Sequence, residues 1–171
     1  TEFWVGWGVD HSGGKMASSI AHTNALKFVG AESFTASPEN GRWQNHPYSL
    51  KQMGDFIYCG GVNRFIFHRY AQQPWETVRP GMTMGPWGFH FERTNTWWND
   101  SPAWLTYLAR CQYLLQEGLF FADLCYYQGE GAPAGLPGRN GLRPVPPAGY
   151  DYDGCSSEVL LNRMSVKDGR I

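Results

Sequence analysis

Two glutamates in this sequence carry the side chain that acid–base chemistry needs, each at a point where an apolar run gives way to a loop. Glu32 follows Lys27-Phe28-Val29-Gly30-Ala31, and Glu130 follows the run from Leu119 to Tyr127. A pair of carboxylates facing one another divides labour. One holds its proton for a leaving oxygen, and the other stays ionised to activate water or attack a sugar carbon. Glu32 and Glu130 are therefore the catalytic candidates for glycoside hydrolysis, although a single strand-end Glu equally pairs with Arg or Lys or caps a turn. His68 ends the run Arg64-Phe65-Ile66-Phe67 and suits a sugar hydroxyl, a proton transfer or a backbone carbonyl. Asp123 and Tyr127 lie on the run leading to Glu130, and Glu158 sits just inside the last helix; with His68 and Trp98 they are the substrate-binding candidates. Of the neighbours Trp97 and Trp98, one is expected to face the core and the other to form a sugar platform. His22 reads as a packing or surface histidine. Asp151, Asp153 and Glu158 offer the hard oxygen ligands that calcium takes, in a spacing that is not that of an EF-hand.

Composition narrows the classes. The 171 residues suffice for one domain with a real core. Eight Trp, nine Tyr and ten Phe are a heavy aromatic load, which serves either a large apolar core or a carbohydrate site where flat rings stack on sugar C–H faces. A net charge of −1 without long charge runs argues against nucleic acid and against a polybasic membrane anchor. No apolar stretch is long enough to span a bilayer. The opening Thr1-Glu2-Phe3-Trp4 does not read as a signal peptide. Cys59, Cys111, Cys125 and Cys155 are far apart and lack zinc spacing, so they read as buried free thiols. Neither of the glycine-rich phosphate-binding patterns occurs.

The elements that must position these residues alternate. Periodicity predicts a helix from Lys15 to Ala25, then a buried strand over Lys27–Ala31. A second helix is expected after Pro47, capped by Ser49 and closed by Gly60-Gly61, followed by a strand over Arg64–His68. A long Trp-, Pro- and Gly-rich loop leads to a third helix, capped by Ser101 with Pro102 at its first position, that runs to Gly118. Leu119–Tyr127 reads as a strand. A Gly/Pro loop, Tyr150–Asp153 and a short helix from Ser156 or Ser157 follow, and Lys167–Ile171 reads as a turn entering a strand. Strands alternating with helices imply an α/β fold with a parallel sheet. A complete eightfold barrel needs about 250 residues, so the expectation is about half of one: residues 1–171 as a fragment of a single (β/α)8 TIM-barrel catalytic domain, with a small open α/β sheet as the alternative.

A series of segments then resembles the α-L-rhamnosidases of glycoside hydrolase family 106. They are Lys15-Met16-Ala17-Ser18-Ser19-Ile20-Ala21-His22, Val29-Gly30-Ala31-Glu32-Ser33-Phe34-Thr35, Asn63–His68, Arg110–Gln116, Tyr127-Gln128-Gly129-Glu130, and Tyr152-Asp153 leading to Glu158–Arg163. The resemblance covers nearly the whole chain in order. It implies a large multidomain bacterial enzyme, periplasmic or extracellular, with β-rich flanking domains. Such enzymes remove terminal L-rhamnose from plant polysaccharides or glycosides with inversion, and some are calcium-dependent. It also implies Glu32 as general acid, Glu130 as base and Glu158 as a third acidic position near the site. The rival expectations are a barrel glycosidase of another sugar, acting with retention, and a non-catalytic carbohydrate-binding protein.

Overall fold

The computed structural model describes residues 1–7 and 12–171. Among these residues five parallel-paired strands and four α-helices follow in the order β1 (Glu2–Val5), α1 (Ser12–Thr23), β2 (Gly30–Ala36), α2 (Pro47–Cys59), β3 (Arg64–Phe67), α3 (Ser101–Leu115), β4 (Leu124–Tyr127), β5 (Tyr152–Cys155) and α4 (Ser157–Asn162). The strands form two sheets rather than one. β1, β2 and β3 make a three-stranded sheet, and among the described residues β4 pairs only with β5. The expected α/β class with parallel strands is present.

Local chemistry explains the elements. Pro47 and Pro102 sit in the first turns of α2 and α3, where a missing N–H costs nothing. At α2 the cap position is His46 rather than Ser49; Ser49 lies one turn in and its hydroxyl returns to the His46 backbone, accepting from N and donating to O. At α3 Ser101 is the first helical residue, behind a short 3-10 turn over Trp98–Asp100. Ser156 caps α4, accepting from the Val159 amide.

Alternation decides which face of the first sheet is covered. The register pairs Ala31 with Phe65 and Ser33 with Phe67. Phe65 stacks on Tyr58 of α2 at 4.4 Å and Phe67 on Trp104 of α3 at 5.3 Å, so these positions face the core, joined by Phe3, Phe34 and Phe89. Phe34 is the centre of that ring cluster, within 6.0 Å of Phe3, Phe65, Phe67, Phe89 and Trp104. The intervening pairs, Glu2 with Glu32 and Glu32 with Ile66, take the opposite face. That face is open, for Ile66 is 54% exposed.

Three sequence expectations need correcting. β2 is shifted downstream, to Gly30–Ala36, because Ser33 and Thr35 satisfy their hydroxyls on Ala31 O and Glu32 Oε1 and are buried without cost. β4 is short: Leu119 is 99% exposed, so the apolar Leu119–Phe121 run is outside the sheet. All four cysteines are free, but Cys59 is exposed and only Cys155 is buried.

Candidate active site

Glu32 lies in the body of β2 on the open face, not past the strand's end. It is half-buried, its Oε1 accepts from Thr35 Oγ1 at 2.8 Å, and it forms no ion pair among the described residues. Its register partner on β1 is Glu2, so two carboxylates share this face. His68 continues the β3 alternation of Ile66 onto the same side, its amide donating to Ser33 O at 3.0 Å. The His68 Nδ1 atom is buried and has no protein partner among the described residues. Gly88 makes this possible: its φ of 89° is left-handed, and a Cβ there would stand 2.9 Å from His68 O and 3.1 Å from His68 Nδ1.

The other candidates fall elsewhere. Glu130 follows β4, in the second sheet, exposed and without a hydrogen bond or ion pair to any described residue. Tyr127 donates to or accepts from Ser157 Oγ at 3.1 Å, and Asp123 accepts from the Asp151 amide at 2.8 Å. Glu158 pairs with Arg163 at 3.1 Å. Trp98 packs half-buried between Phe91 and Tyr70, while Trp97 stacks on Phe91 and donates to Asn45 O at 3.0 Å.

The acidic side chains offered for calcium are already committed. Asp151 pairs with the buried Lys15 at 2.8 Å; Asp153 accepts from Ser19 Oγ at 3.0 Å and holds His22 Nδ1 at 3.0 Å. Among the described residues no three His, Cys, Asp or Glu converge. These three carboxylates, so committed, do not fit a calcium ion. His22 is accordingly a docking histidine, with Phe120 stacked on its ring at 4.0 Å.

Sequence reasoning missed a buried polar cluster in the long β3–α3 loop. Glu92 and His90 are fully buried and Arg69 nearly so. Arg69 Nη2 donates to Gly85 O at 2.8 Å and contacts His90 Nε2 at 2.9 Å, while His90 Nδ1 meets Gly88 O at 2.8 Å. Burial lowers the pKa of both His90 and Arg69. The signal was present only as the charged and aromatic string His90-Phe91-Glu92-Arg93 inside a loop too long to be idle.

A family model for glycoside hydrolase 106, described as alpha-L-rhamnosidase, matches residues 8–171. The chain belongs to this family. The putative beta-glucuronidase of Formosa agariphila is 42% identical to this family 106 chain over 172 residues, covering 99% of the chain and 14% of that protein. The solved structure of a rhamnosidase from Novosphingobium sp. PP1Y superposes with a TM-score of 0.77 at 26% identity, covering 95% of this chain and 16% of that one. The family 106 chain thus spans 14% and 16% of the lengths of these two relatives.

Proposed function

We propose that this chain is part of a (β/α)8 glycosidase domain, about half of the barrel, in a longer protein that cleaves terminal α-L-rhamnose with inversion. The observation that carries the reading is Glu32: a carboxylate on the open face of a parallel sheet, held by the Thr35 hydroxyl and, among the described residues, paired with no cation. Closing a barrel would turn that face inward, and the carboxyl ends of the strands, with the loops that follow them, are where the working residues of such folds gather. Glu32 then protonates the glycosidic oxygen as the bond to the sugar breaks. Glu130, without a hydrogen bond or ion pair to any described residue, takes a proton from the water that attacks the opposite face of the anomeric carbon. His68 Nδ1, buried and without a partner among the described residues, faces a sugar hydroxyl; Glu158, Tyr127 and Asp123 complete the substrate contacts. The adjoining segments of the same domain in the full-length protein supply the rest of the barrel.

The test is Glu32→Gln in the full-length protein, assayed on an aryl α-L-rhamnoside. The expected loss in kcat is about 100-fold or more, the usual worth of a positioned acid. Unchanged turnover would remove Glu32 from the mechanism. An aryl β-D-glucuronide belongs in the same assay, because the relative at 42% identity carries a beta-glucuronidase name. NMR of the first-formed anomer reads the stereochemistry. Inversion requires the two carboxyls to stand about 6.5–9.5 Å apart, and retention about 5–5.5 Å.

A further inference from the structure

Trp43 is held in a way that space-filling does not require. Its backbone is left-handed, with φ 60°, directly after Arg42 at φ 55°, a region that bulky residues avoid unless their surroundings impose it. The indole Nε1 donates to Glu92 Oε1 at 2.6 Å, and the ring packs on His90 with centroids 4.0 Å apart. Yet the residue remains 40% exposed. One edge and one side are fixed while part of the ring faces solvent.

The fixing group is itself over-determined. Glu92 is fully buried and accepts from Gln73 Nε2 at 3.0 Å, from the Thr94 amide at 2.6 Å and from Thr94 Oγ1, besides Trp43. Burial alone would push its carboxyl up; these bonds outweigh it and hold the group ionised. Gly41 brings the Trp43 loop onto the β3–α3 loop: a Cβ there would stand 2.7 Å from Gly88 O. Trp43 therefore lies on the loop that leaves β2, against the segment that buttresses His68. A flat ring clamped before the ligand arrives loses little entropy on binding.

We propose that Trp43 is the stacking platform for the pyranose ring of the saccharide, and that Glu92 is the residue that positions it. This rests on the glycosidase reading above. Trp98, packed between Phe91 and Tyr70, is the supporting tryptophan rather than the platform.

The experiment uses the full-length protein with W43A, W43F and E92L. KM and kcat are read on whichever aryl glycoside, α-L-rhamnoside or β-D-glucuronide, the wild type hydrolyses. The Kd for L-rhamnose or D-glucuronate is read by tryptophan fluorescence, with circular dichroism confirming the fold. W43A is expected to raise KM and Kd about tenfold, equivalent to about 1.4 kcal/mol, leaving kcat within about twofold. W43F, which keeps a smaller ring without the N–H, raises them less. E92L raises KM as W43A does, and the double variant W43A/E92L is no worse than W43A alone, a non-additivity that a merely structural Glu92 would not give. Should W43A not fold, W43F decides. Wild-type KM and Kd in W43F and W43A would overturn the platform, as would a wild type that binds neither sugar. A wild type that hydrolyses neither glycoside yet binds a sugar through Trp43 keeps the platform and removes the hydrolytic reading.

Discussion

Glu32 and Glu92 are the same side chain under different constraint. Glu32 is half-buried with one hydroxyl donor, while Glu92 is fully buried with donors from Trp43, Gln73 and Thr94. Burial raises the Glu92 carboxyl and the hydrogen bonds lower it further than burial raises it, so its folded value lies below the ordinary one. The linkage has a definite sign. A carboxyl whose folded pKa is depressed contributes stability that is present above its unfolded value, about 4.3, and is lost as pH falls through the lower folded value. Urea midpoints measured between neutral pH and pH 3 should therefore drop in the wild type once pH passes below about 4.3, and drop less steeply in Glu92→Gln. Parallel curves would show that Glu92 does not contribute. The distinction bears on the proposed function: Glu92 is held by donors on three residues, whereas Glu32 has the Thr35 hydroxyl.

At the scale of elements, the joint between the two sheets is polar. Ser19 of α1 donates to Asp153 of β5 and accepts from the Gly154 amide, His22 reaches the same carboxylate, and Lys15 pairs with Asp151. Asp153→Ala strips two of these links and leaves buried Ser19 and half-buried His22 without their acceptor, at a cost of about 2–3 kcal/mol. Hydrogen exchange locates the effect: amides of β4 and β5 should speed up while those of β1–β3 change little. Equal acceleration in both sheets would contradict a local seam. Such long-range pairings, Ser19 to Asp153 or Trp43 to Glu92, are what the sequence could not disclose, since residue types at 134 and 49 positions' separation carry no periodicity. Local signals were legible. Pro102, Trp104 and Leu108 marked α3, and Gly60-Gly61 the end of α2. β1 escaped because four residues are too few for a pattern, and β2 was placed early because Glu32, Ser33 and Thr35 look like a loop until their hydrogen bonds are seen. Leu119–Phe121 was misread for the converse reason, since an apolar run does not say what it packs against.

That last run sets the behaviour of the whole molecule. Leu119 is 99% exposed, Phe121 68%, and Leu114 on α3 70%, while the open face of the first sheet shows Ile66 at 54%. Leu114 and Leu119 line one surface recess, and exposed apolar groups gathered into a patch mark a contact with a partner. The relatives are several times longer than this chain, which covers 14% and 16% of them, and the proposed barrel assigns the partner to the rest of the full-length protein. The 171 residues prepared alone should accordingly bind an apolar dye such as ANS, and elute from a sizing column at a concentration-dependent volume. They should also hydrolyse no aryl glycoside at a measurable rate. Leu119→Lys with Phe121→Glu separates the causes: it should lower association without lowering the melting temperature, because neither side chain contributes to the core. A monomeric, dye-silent and active isolated chain would mean that the open face is solvent-facing by design, and that Glu32 works without a closed barrel around it.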